Sequence, residues 1–137
     1  MISFFNEDID FKFQGKNNFK SWLKKVSEKE GFRINNLNYI FCSDEYLHKI
    51  NLEYLDHDTF TDIITFDNSE DENIIEGDIF ISIERVRENS QTLKTVFDEE
   101  LKRVIVHGLL HLCGYDDHSQ EEKAEMRRLE SKFIEIF

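Results

Sequence analysis

Residues 107 to 118 read HGLLHLCGYDDH and hold three of the chain's five histidines. His107 and His111 stand one helical turn apart, which puts their side chains on one face with Cβ atoms about 5–6 Å apart. Two imidazoles so placed reach a single divalent ion at about 2.0–2.1 Å each. A third donor must come from outside the helix. Gly114 supplies the break, because a residue without Cβ takes the left-handed conformation that turns a chain back on itself. Tyr115, Asp116 and Asp117 complete the turn and return His118 toward the pair. His107, His111 and His118 are therefore the expected ligands of one metal ion, Zn²⁺ or another divalent ion, with one corner left for water. Such an open site is the chemistry of catalysis rather than of a closed structural centre. A histidine pair alone reads equally well as two packed rim residues. The glycine followed by a third histidine favours the metal.

The segment also lacks something. In the protease signature H-E-x-x-H a glutamate follows the first histidine and acts as general base, whereas this chain has Gly108 there. That counts against proteolysis. Asp116 or Asp117 is available as a base or as a partner behind the ligands, and no catalytic residue beyond the ligands is assigned.

On these residues the chain resembles the YbeY family of metal-dependent endoribonucleases. The family's His-Gly-x-Leu-His-Leu-x-Gly-Tyr-Asp-His is matched from His107 to His118 with one extra aspartate before the last histidine. Asn51-Leu52-Glu53-Tyr54 followed by Thr61-Asp62-Ile63-Ile64-Thr65-Phe66 is similar to a second family segment, and Gly77-Asp78-Ile79 to a third. The resemblance spans about residues 47–118. It implies a single-strand-specific endoribonuclease acting in ribosomal RNA maturation and ribosome quality control, with RNA and the ribosome as partners and one zinc per chain. Two positions depart from the family: Leu55 replaces an arginine implicated in handling phosphate, and Phe60 replaces a proline. Arg85, a lysine of the first helix or His57 is then expected to take that part, or the enzyme is a weaker nuclease. Two competing readings are a ribosome-associated binding factor with a structural metal site and a metallohydrolase acting on peptides. His48 reads as a surface residue, His57 as paired within Asp56-His57-Asp58, and Tyr115 as packing in the turn; Asp62 and Asp78 flank strands at turn-like positions and read either as caps that bond backbone or as residues lining the site.

These residues need a scaffold. Strands are expected at ISFF, at 36–42, at 61–67 and at 77–82 from their β-branched and aromatic content. Helices are expected over 17–30, 44–54, 83–90 and 98–113, and after a capping box at Ser119-Gln-Glu-Glu122. The sum is an α+β fold: one mixed sheet of about four strands packed with about five helices, the metal site at the end of a helix in the C-terminal half.

Composition bounds the rest. The 137 residues, with 39% hydrophobics, thirteen Phe and no Pro, fit a single domain over 1–137. No apolar run approaches the roughly 20 residues of a membrane span. Two cysteines and no visible secretory signal give the expectation of a reduced, cytoplasmic setting. The net charge is −12, but residues 1–33 carry seven basic against five acidic side chains. Lys16, Lys20 and Lys24 recur every fourth residue, a cationic stripe that reads either as a solvated face or as a docking edge for RNA.

Overall fold

Phe4 of one strand stacks on both Tyr39 and Phe41 of its neighbour, at centroid distances of 5.5 and 6.2 Å, and packs there against the main core. A computed structural model describes all 137 residues. The chain runs β1 (Ile2–Asn6), α1 (Lys16–Lys29), β2 (Arg33–Cys42), α2 (Asp44–Leu55), β3 (Ile63–Asp67), β4 (Ile74–Ser82), α3 (Ile83–Thr92), α4 (Phe97–Leu112) and α5 (Gln120–Ile134). The strands form one sheet in the order β1-β2-β4-β3. β1 and β4 both run parallel to β2, while β3 is antiparallel to β4. The expected mixed α+β architecture is what the chain adopts.

Alternating side chains divide the sheet into two faces. Leu37, Tyr39 and Phe41 of β2 and Ile75, Ile79 and Ile81 of β4 join the large cluster with α1, α3, α4 and α5. Cys42, Ile64, Phe66 and Phe80 turn the other way and pack against Leu47 and Ile50 of α2. α4 lies in the middle of the large cluster, with Leu101, Val104, Ile105, Leu109 and Leu112 buried and Asp98, Glu99 and Glu100 in its first turn. Acidic residues there favour the positive end of the helix dipole.

One position in α4 brings it unusually close to the sheet. A Cβ at Gly108 would stand 2.9 Å and 3.0 Å from two carbons of Ile79. The residue that removes the protease glutamate thus lets the histidine helix sit down on β4. No helix is long and apolar enough to cross a membrane.

Candidate metal centre

The end of α4 is built as the sequence requires. Gly114 has φ 100°, its N–H donates to the carbonyl of His111, and the N–H of Tyr115 donates to that of Leu110. This pair of bonds is the Schellman motif, which satisfies the last carbonyls and reverses the chain. Five residues later Ser119 caps α5, and the reciprocal capping box with Glu122 is present. The segment between the two caps is therefore held at both ends.

Inside that turn exposure alternates: Tyr115 and Asp117 are half-buried, Asp116 and His118 exposed. Successive side chains of an extended segment face opposite sides, so one of residues 117 and 118 faces the helix and the other faces solvent. Asp117 faces the helix. His107, His111 and Asp117 form a group whose ligating atoms all lie within 4.8 Å of one another. His118 stands outside that group, one step further along the chain.

The rings are prepared for a cation. His107 Nδ1 bonds Glu130 Oε2 at 2.6 Å, and His111 Nδ1 bonds the Tyr115 carbonyl at 2.9 Å. Both partners accept, so each Nδ1 carries the proton and each Nε2 presents a lone pair. Those two Nε2 atoms lie 3.3 and 3.6 Å from the same oxygen, Asp117 Oδ2. Two neutral rings would then aim lone pairs at a carboxylate, which is repulsive unless something positive sits among them. Two ligands about 2.1 Å from a tetrahedral ion are about 3.4 Å apart, close to both observed separations. The donor set fits a divalent metal.

Charge and burial tune the two rings differently. Burial disfavours the charged form of His107, but the Glu130 hydrogen bond and charge, with Asp117 and Asp62, outweigh it and raise its pKa. Burial and the neighbouring His107 hold His111 below its ordinary value, against the pull of Asp117. The ring centroids are 4.5 Å apart and nearly perpendicular, at 81°.

Behind the pair lies Glu130, only 6% exposed, which also accepts from Arg103 Nη1 at 3.0 Å. Arg103 Nη2 donates in turn to Ser131 Oγ at 3.1 Å. A cavity of about 480 Å³ opens over the centre, lined also by Thr61, Asp62, Thr65, Glu100 and Arg127. Burial raises the carboxyls of both Asp62 and Glu100.

Of the two readings open for the strand-flanking aspartates, Asp62 lines the site, whereas Asp78 accepts from the side chains of Asn38 and Asn68 on the sheet. None of the cations expected to replace the family arginine lines this cavity. Arg85 is held by Asp44 through two nitrogens, His57 is exposed, and Lys20 and Lys24 border a separate groove beside β1 and β2. Leu55 is 40% exposed at the end of α2. His48 contacts more than solvent: it bonds Asp58 at 2.9 Å and stacks on Phe60 at 4.2 Å. Tyr115 packs against the core and also bonds Glu30 through its hydroxyl.

Sequence reasoning missed Glu130, Arg103 and Arg127. For Glu130 there was a signal: it lies four residues after Met126 and next to Leu129, a charge on the buried side of α5.

The family model described as Endoribonuclease YbeY matches residues 1–137. Endoribonuclease YbeY of Christiangramia forsetii is 52% identical over 136 residues, covering 99% of this chain and 94% of that one. Its counterpart in Cytophaga hutchinsonii is 50% identical over 135 residues, covering 98% and 94%. Among solved structures, the solution structure of TM1509 from Thermotoga maritima superposes with a TM-score of 0.69 at 29% identity, over 98% of this chain and 87% of that one.

Proposed function

The chain belongs to the YbeY family, and on that premise we propose that it is a metal-dependent endoribonuclease that cleaves single-stranded RNA in ribosomal RNA maturation. The observation that carries the reading is that two imidazole nitrogens each stand at about a tetrahedral-edge distance from one carboxylate oxygen, under an open cavity. His107 and His111 are its metal ligands, and Asp117 supplies the third donor in the place expected of His118. Zinc suits this nitrogen and oxygen set, with three protein ligands and an open corner. When bound, the metal supplies Lewis acidity toward a phosphoryl oxygen and lowers the pKa of water at neutral pH.

The protein's own groups do the rest. Glu130 and the Tyr115 carbonyl hold the two rings in the tautomer that ligates, the usual arrangement behind a metal-bound histidine. Arg103 fixes Glu130. The cavity opens over the donors with a mostly polar lining. Ribosome association and a cytoplasmic setting follow from the same reading, with the ribosomal RNA as the substrate class.

Metal analysis and cleavage of a labelled single-stranded RNA test the assignment together. H107A and H111A are expected to lose bound metal and cleavage. D117A is expected to lose both as well, while H118A keeps them within about threefold. The opposite order, with H118A inactive and D117A active, makes His118 the third ligand. Undiminished cleavage by a metal-free H107A/H111A double variant would end the metal-dependent reading.

A further inference from the structure

The cavity over the metal centre holds four carboxylates, Asp62, Glu100, Asp117 and Glu130, and two guanidiniums, Arg103 and Arg127. A divalent ion between neutral imidazoles would bring this set to balance. Removing either guanidinium would leave an excess of negative charge facing an RNA phosphate, in a protein whose net charge is already −12. The two arginines are not equivalent. Arg103 is committed within the fold, to Glu130 and Ser131. Arg127 forms no ion pair or side-chain hydrogen bond, although its neighbour Arg128 is paired with Glu125.

Position adds to charge. Arg127 lies on α5 three residues before Glu130, so the two rise from adjacent rows of one helix face. Glu130 points inward to His107 while Arg127 is exposed at the cavity wall. A planar fork of donors that no protein group occupies matches the paired nonbridging oxygens of a phosphodiester.

We propose that Arg127 is the residue that receives the phosphate of the RNA strand at the cleavage site, through a bidentate contact. This rests on the endoribonuclease reading above. Arg103 is a positioning residue that holds Glu130, and it makes no contact with the strand.

The test uses full-length wild type, R127A, R127K and, as a control on the same helix, R128A. The probe is a fluorescein-labelled single-stranded oligoribonucleotide, read by anisotropy in chelator and by cleavage after metal is restored. R127A is expected to raise KM and weaken anisotropy binding by about tenfold or more. It should also reduce the steepness of log affinity against log salt by about 0.7, the loss of one single-strand phosphate contact. Bound metal and thermal midpoint should stay at wild-type values. R127K should recover the salt slope but only part of the affinity, and R128A should stay within about twofold of wild type. Wild-type KM and salt slope in R127A, with the wild type active, overturn the proposal and leave the endoribonuclease reading intact. Wild-type protein that neither binds nor cleaves the RNA overturns both. Should R127A fail to fold, R127K decides alone: an unchanged KM there overturns the bidentate contact.

Discussion

Glu130 shows how much of a metal centre lies outside its ligands. One oxygen meets His107 at 2.6 Å and the other meets Arg103 at 3.0 Å, in a side chain only 6% exposed. Replacing it by glutamine keeps the shape but removes the charge that steadies the ring. E130Q is expected to weaken metal binding about 10–100-fold, measured by competition with a chromogenic chelator, with little change in helix content. The histidine pair was legible because helical spacing leaves one geometry for residues four apart. The inward member of the turn was not, because spacing places residues 117 and 118 near the pair without saying which side each faces. Glu130, Arg103 and Arg127 reach the site only through the packing of α5 on α4, which no local pattern encodes.

At the scale of elements, closeness between α4 and the sheet is purchased with two glycines. A Cβ at Gly77 would come within 2.5 Å of the Phe66 carbonyl oxygen, which is backbone and cannot swing aside. At Gly108 the nearest atoms are side-chain carbons of Ile79 and Ile63, at 2.9 to 3.1 Å, rather than backbone. G77A is therefore expected to cost about 1–3 kcal/mol. G108A should cost less, because alanine regains about 1 kcal/mol of helix propensity. Urea midpoints of the two variants check the order, and equal values would contradict it. G108A should also loosen metal retention, since the histidines on either side move with the helix. Element types and order were readable from periodicity, but some boundaries were not. β2 begins at Arg33 and β4 at Ile74, each about three residues before the expected start. In β2 the exposed Arg33 and Asn35 conceal a real ladder with a register shift between Ile34 and Asn36, whereas in β4 Ile74 and the buried Ile75 follow an acidic run and are parted from the next apolar residues by Glu76, Gly77 and Asp78. β3 begins later than expected, at Ile63: the Asp62 carbonyl still accepts from the Ser82 N–H, while the side chains of Thr61 and Asp62 line the cavity.

For the molecule as a whole, metal and proton compete for the same rings. Metal binding should raise stability by about 2.7 kcal/mol at a hundredfold excess over Kd, about 10 °C in Tm for a chain of this size. Scanning calorimetry with and without chelator measures it. The gain should shrink as pH falls, first through the raised value of His107 and then through the lowered value of His111, since a protonated imidazole cannot ligate. The metal-free protein should behave in the opposite sense. His107 is raised above its unfolded value by Glu130, so its contribution is present below about pH 6.5 and fades as pH rises through the higher folded value. A chelator effect that does not vary with pH would count against histidine ligation. At this scale the sequence made the α+β class legible, but not the order β1-β2-β4-β3. Strand neighbours depend on which crossovers the helices make, and the run of apolar residues is the same for any order.

Tyr115 works from both of its ends: its carbonyl orients His111, while its ring reaches across to Glu30 just past α1. The bend that presents the acidic donor is thereby moored to a second helix before any ion arrives. An incoming cation has little left to organise, so its affinity should reflect the basicity of its three donors rather than the entropy of folding a loop around it.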